Sequence, residues 1–204
     1  MQLAVPHTAD QRSAEILGLV RQAFVEKGFD GASMQDLARA AGMSVGNFYR
    51  YFPSKAAIIQ ALIDADHADL RRDFAIIRQS PHPMAALRQM VRSELASECM
   101  GHDTTLWTEI EAASQRNPDI GAAVQRMEAE VASCLIGIFA VECGVPEDEA
   151  KARFSAQAAF IMVLFKAASC LKSPVSSHDG ELKSLIIRTI DQTLDDVAPS
   201  SLKA

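Results

Sequence analysis

Apolar positions recur along the chain at three- and four-residue intervals and do not alternate, so the pattern predicts helices throughout and no strands. Ile16, Val20, Ala23 and Phe24 form the stripe of a first helix. It begins near Thr8, where Thr8 and Gln11 have capping-box spacing, and stops at Gly28. Ser33, with Asp36 three residues on, opens a second helix over 33–40; Leu37, Ala38 and Ala41 are its buried face and Gly42 ends it. Ser44 caps a third over 44–51. Pro53 then breaks the chain and Ser54 caps a fourth, over 54–79. Its apolar positions are Ile58, Ile59, Leu62, Ile63, Leu70, Phe74 and Ile77. At about 1.5 Å per residue this helix is on the order of 40 Å long, enough to belong to two domains.

Pro81 and Pro83 make the next break. A fifth helix is expected over 84–100, and Gly101-His102-Asp103 separates it from a sixth over 104–116. Asn117-Pro118 is a stop; a seventh helix covers 119–143 and ends at Gly144, and an eighth runs from Pro146 to about Lys172. After the loop SPVSSHDG a ninth covers 181–197. The stretch AAFIMVLFKAA, residues 158–168, is apolar nearly all round and is expected to be covered on both sides. The ninth helix carries a stripe at Leu182, Ile186, Ile190, Leu194 and Val197. Two such helices from each of two copies complete a four-helix bundle, so a homodimer through residues about 146–197 is expected. The fold class is all-α, with about nine helices. A three-helix domain at 8–53 is joined by the helix 54–79 to a second helical domain within 54–198.

Composition narrows the picture. The chain has 204 residues, 49% of them hydrophobic, enough to bury a sizeable core in one or two domains. No apolar run reaches bilayer length, and the start MQLAVPHTADQR lacks the pattern of an export signal, so a cytoplasmic location without membrane contact is expected. Cys99, Cys134, Cys143 and Cys170 lie far apart, with no metal-ligand spacing, and read as small buried residues of a reduced compartment. The net charge is −6, but unevenly spread. Residues 1–60 hold six bases and five acids, so the acid excess lies in the rest of the chain. An acidic body with a neutral-to-basic end still binds a polyanion through that end.

The chemistry gathers in GMSVGNFYRYFPSK, residues 42–55. Two short capped helices around Ala41-Gly42-Met43 have helix-turn-helix spacing, with Leu37, Ala38, Val45 and Phe48 as internal contacts. In that motif the second helix enters the major groove. Ser44, Gly46 and Asn47 are small or polar and admit the duplex; Asn47 reaches a base edge and Arg50 a base or phosphate. Tyr49 and Tyr51 offer rigid rings with hydroxyls, Ser33 and Ser54 place helix N-termini toward phosphates, and Lys55 adds a charge at one of them. Phe48 and Phe52 belong to the core.

Residues 10–65 resemble the DNA-binding domain of TetR/AcrR-type transcriptional regulators. The resemblance rests on Ala23-Phe24, Gly28-Phe29, Ser33, Asp36-Leu37-Ala38, Gly42, Ser44, Gly46 and, above all, Phe48-Tyr49-Arg50-Tyr51-Phe52-Pro53-Ser54-Lys55. The remaining helices match only in number and arrangement. The resemblance implies that Ser33, Tyr49, Tyr51 and Lys55 hold phosphates, while Val45, Gly46, Asn47 and Arg50 lie nearest the bases. It implies a homodimer on a near-palindromic double-stranded operator, acting most often as a repressor, released when a small-molecule effector enters the C-terminal domain. The long fourth helix would then act as a lever that changes the separation of the two reading heads.

For the effector, Met84, Met90, Met100, Trp107 and Phe139 are candidate lining residues, and Glu109 or Glu111, turned inward beside Trp107, would suit a cationic ligand. No cofactor or metal motif is present. An all-helical small-molecule enzyme, or a protein-interaction bundle with an incidental helix-turn-helix, would share the helical pattern. The five histidines are scattered, however, and no nucleophile motif accompanies them.

Overall fold

The computed structural model describes residues 9–96, 100–170 and 179–197. Among them the elements are all helical: α1 (Ala9–Gly31), α2 (Met34–Ala40), α3 (Val45–Tyr51), α4 (Lys55–Gln79), α5 (Pro83–Ala96), α6 (Met100–Ser114), α7 (Pro118–Cys143), α8 (Glu147–Cys170) and α9 (Asp179–Val197). The Thr8 cap and the SPVSSHDG loop expected from the sequence fall largely on residues outside this description, as does the stretch 97–99.

Two boundaries differ from the sequence expectation. Gly101–Asp103 does not separate two helices but lies inside α6. A single interior glycine costs a helix only about 1 kcal/mol relative to alanine, which neighbouring packing overrides. Nor does α1 end at Gly28. The helix breaks there, at φ 71 and ψ 166, and resumes to Gly31. The breaks at Pro53, Pro81 and Pro118 stand where expected, because proline removes a donor and clashes with the preceding turn.

The chain forms two compact units. One comprises the chain to His67 together with Thr105–Gln125; the other comprises Ala68–Thr104 and the chain from Arg126. Helix α4 therefore contributes to both. In the first unit Ile16, Val20 and Phe24 of α1, Leu37 of α2, Phe48 of α3 and Ile58, Ile59 and Leu62 of α4 are buried, joined by Leu106 and Ile110 of α6. His67, at the end of this stretch of α4, is buried as well. Each fully buried side chain of this size contributes about 1.5–3 kcal/mol.

The second unit packs α8 and α9 against α5 around Phe139, Leu87, Leu95, Ile161, Ile190 and Leu194. Polar contacts flank this core. Arg88 reaches Asp191 at 3.0 Å and Asp195 at 2.5 Å, and Arg92 reaches Asp191 at 2.6 Å, so two α5 cations grip α9. Arg78 pairs with Glu147. Helix α7 ends with Gly144 at φ 64, where Val145 N–H donates back to Ala140 and Gly144 N–H to Val141, satisfying the last carbonyls. Cys143 Sγ lies 3.0 Å from the Val197 carbonyl, and burial pushes the thiols of Cys134 and Cys143 up, keeping them protonated and poorly nucleophilic.

Candidate nucleic-acid interface

The reading surface is built by two short helices and the turn between them. At the start of α2 the Asp36 amide donates to Ser33 Oγ at 3.1 Å, and the Asp36 carboxylate accepts from the Ser33 amide at 3.0 Å and hydroxyl at 2.5 Å. This is a reciprocal capping box with aspartate in the third position. At the other end Gly42 takes φ 65, Gly42 N–H donates to Arg39 and Met43 N–H to Ala38. That paired closure needs a residue in the left-handed region, which glycine supplies without steric cost. The chain then re-enters helix at once, with Ser44 Oγ accepting from the Asn47 amide at 3.3 Å.

Helix α3 is thereby presented with two unlike faces. Phe48 is fully buried and Phe52 nearly so, their rings 5.7 Å apart. On the other face Val45 is 37% exposed, Tyr49 46% and Tyr51 36%, with Gly46, Asn47 and Arg50 exposed beside them. The side chains of Asn47 and Arg50 have no partner among the described residues. Of the four expected internal contacts, Leu37, Ala38 and Phe48 are buried and Val45 is not.

Ser33 and Lys55 are placed differently from the α3 residues. The Ser33 hydroxyl is committed to its own helix cap. Lys55, half-buried, donates to the Phe29 carbonyl at 2.7 Å and the Asp30 carbonyl at 3.4 Å, with its ammonium 4.8 Å from the centre of the Phe29 ring. Ser54 caps α4 through the Ala57 amide at 3.1 Å. Asp36 also binds Lys27 at 2.6 Å and Arg39 at 3.3 Å. Lys27, then the Ser33 hydroxyl and amide, hold its carboxyl well below the usual carboxylate range.

The candidate effector residues are not brought together within one unit. Phe139 is fully buried in the second unit's core, with Met90 packed against it. Trp107 and Glu109 are half-buried in the first unit, where Glu109 Oε2 accepts from the Phe29 amide at 2.8 Å. Met100 opens α6, its side chain outside the description. An open depression of 590 Å³ lies along α5 and α9, between Arg92, Ser184, Arg188 and Asp191, and none of the candidates lines it. Sequence reasoning missed the contacts at Phe29, since residues 29, 55 and 109 share no periodic pattern.

A capped helix, a tight glycine turn and a second helix with one side sealed and the other polar and open make up a helix-turn-helix DNA-binding domain. Residues 16–62 match the family described as bacterial regulatory proteins, tetR family. Over those residues the chain carries the DNA-binding domain of that family. Among curated relatives, the HTH-type transcriptional regulator UidR of Escherichia coli (strain K12) is 34% identical over 119 residues, which span 57% of this chain and 59% of that protein. Among solved structures, Salmonella enterica GusR shares the fold at a TM-score of 0.70 and 20% identity, covering 93% of this chain and 98% of that one. The structure of AibR in complex with isovaleryl coenzyme A and operator DNA shares it at 0.62 and 14% identity, over 88% and 97% of the two chains. Among the described residues no single helix is long and apolar enough to cross a membrane.

Proposed function

We propose that this protein is a cytoplasmic, homodimeric, ligand-responsive regulator, most simply a repressor, that reads a two-fold symmetric duplex with α3. The observation that carries the reading is the outward face of α3. Asn47, Tyr49, Arg50 and Tyr51 stand uncovered although Phe48 and Phe52 on the same short helix are sealed. Val45, Gly46, Asn47 and Arg50 are nearest the base edges in this reading, while Ser44, Tyr49, Tyr51, Lys55 and the Ser33 helix start hold phosphates. AibR, which has the same fold, was solved with operator DNA and an acyl coenzyme A, which supports a DNA-bound and ligand-bound life for the present chain. Effector contacts are proposed for Met90 and Phe139 in the second unit. A ligand there acts by binding one of two conformations more tightly than the other.

Selection from a random duplex pool tests this. A two-fold symmetric consensus is expected, and its affinity should fall steeply as salt rises, since phosphate contacts release counterions. A pool that yields no bound duplex, or binding indifferent to salt, contradicts the proposal.

A further inference from the structure

The corner after the Gly28 break is held from two sides by residues far apart in the chain. Because Gly28 leaves helical geometry, the Phe29 amide is turned away from the ladder of α1. It donates instead to Glu109 Oε2 of α6 at 2.8 Å, across 80 positions of sequence. The approach is close: a Cβ on Gly28 would stand 3.0 Å from that same oxygen. The carbonyl of Phe29 accepts from Lys55 Nζ at 2.7 Å, and Arg116 reaches Asp30 at 2.9 Å. A carboxylate and an ammonium therefore engage the two polar groups of one residue. Hydrogen bonds to ionised groups are about twice as strong as neutral ones and hold their geometry accordingly.

Lys55 has two of its three donors turned to these carbonyls, which fixes where its remaining charge is presented. We propose that Glu109 is a positioning residue of the DNA-reading surface: by holding the Phe29 amide it fixes the carbonyl against which Lys55 aligns for a backbone phosphate. The inference rests on the DNA-binding reading above and adds to it a second tie, from α6, on the first turn of α4. It assigns Glu109 a role without contact to DNA.

Duplex selected from the random pool by the wild-type chain serves as the probe, and binding is titrated against salt. Lys55→Ala should lower the slope of log affinity against log salt by about one, as expected for one lost phosphate contact. Glu109→Asp, one methylene too short to reach, should lower the slope similarly and weaken binding roughly tenfold. Glu109→Gln keeps an acceptor oxygen at the same reach and should retain the wild-type slope. Lys55→Ala combined with Glu109→Asp should bind no more weakly than Lys55→Ala alone, since both remove the same contact. A merely structural role for Glu109 would lower thermal stability and leave the slope unchanged. Wild-type affinity and slope in Glu109→Asp, or losses that add in full to those of Lys55→Ala, overturn the inference while leaving the DNA reading intact. A pool that returns no duplex overturns both.

Discussion

Asp36 carries three connections at once. Its carboxylate completes the cap of α2, binds Lys27 across the α1 break and touches Arg39 on its own helix. These partners hold its folded-state pKa below the unfolded value, which is about 3.9. The contribution to stability is therefore fully present above that pH and is lost as pH falls through the folded value. Asp36→Asn is expected to melt lower than wild type at neutral pH, and the gap should narrow as pH drops below about 4, where Asp36 of the unfolded chain takes up a proton that the folded carboxylate still resists. Thermal unfolding followed by circular dichroism from pH 7 to pH 3 checks this, and parallel curves would contradict it. The cap itself was legible, because Ser33 and Asp36 are three residues apart and local geometry pairs them. The Lys27 contact was not: it crosses Gly28, whose φ of 71 redirects the chain in a way no spacing rule encodes.

At the scale of elements, α2 and α3 are each seven residues long, about two turns, and helices this short do not persist alone in water. Their stability is borrowed from caps and from tertiary burial. Ser44→Ala should cost the fold about 1 kcal/mol and Ser44→Gly only a few tenths, because glycine leaves the helix start open to water. Phe48→Ala removes a fully buried ring and its contact with Phe52, and should cost about 3–5 kcal/mol. Denaturant unfolding monitored by far-ultraviolet circular dichroism measures both, and the ranking of the three variants is the check. The same reasoning explains which element ends could be read in advance. Proline stops and serine caps are chemical facts of one residue, so the starts of α2, α3 and α4 were legible. Gly101–Asp103 looked like a break because glycine is a poor helix former, but that preference is small beside the burial of Leu106 and Ile110 on the same helix.

At the scale of the whole molecule, the apolar character of residues 158–168 was legible from the sequence, but what covers it was not. Helix α8 turns Ala158 and Ile161 into its own unit's core, and α9 turns in Ile186, Ile190 and Leu194. Their other sides leave Phe160 45% exposed, Val163 60% and Leu185 50%. The partition of the chain was equally hidden, since the placing of residues 105–125 with the first three helices depends on contacts such as Glu109 with Phe29, which only folding brings together. In the proposed homodimer a second copy would cover the open sides of α8 and α9, because a two-fold axis pairs a patch with itself and needs no other chain. Phe160→Asp with Val163→Asp tests this without touching the inward-facing positions. At a two-fold interface each new carboxylate appears twice, and burying such an ion unpaired costs several kcal/mol. Wild type is expected to sediment as two chains and the variant at the mass of one, with its helical content kept. Its affinity for a selected symmetric duplex should also fall by about 10²–10⁴, because two half-sites would no longer be engaged by linked heads. A variant that stays dimeric would contradict a two-fold axis through α8 and α9, and a monomer that binds the full site as tightly as wild type would contradict reading by two linked heads.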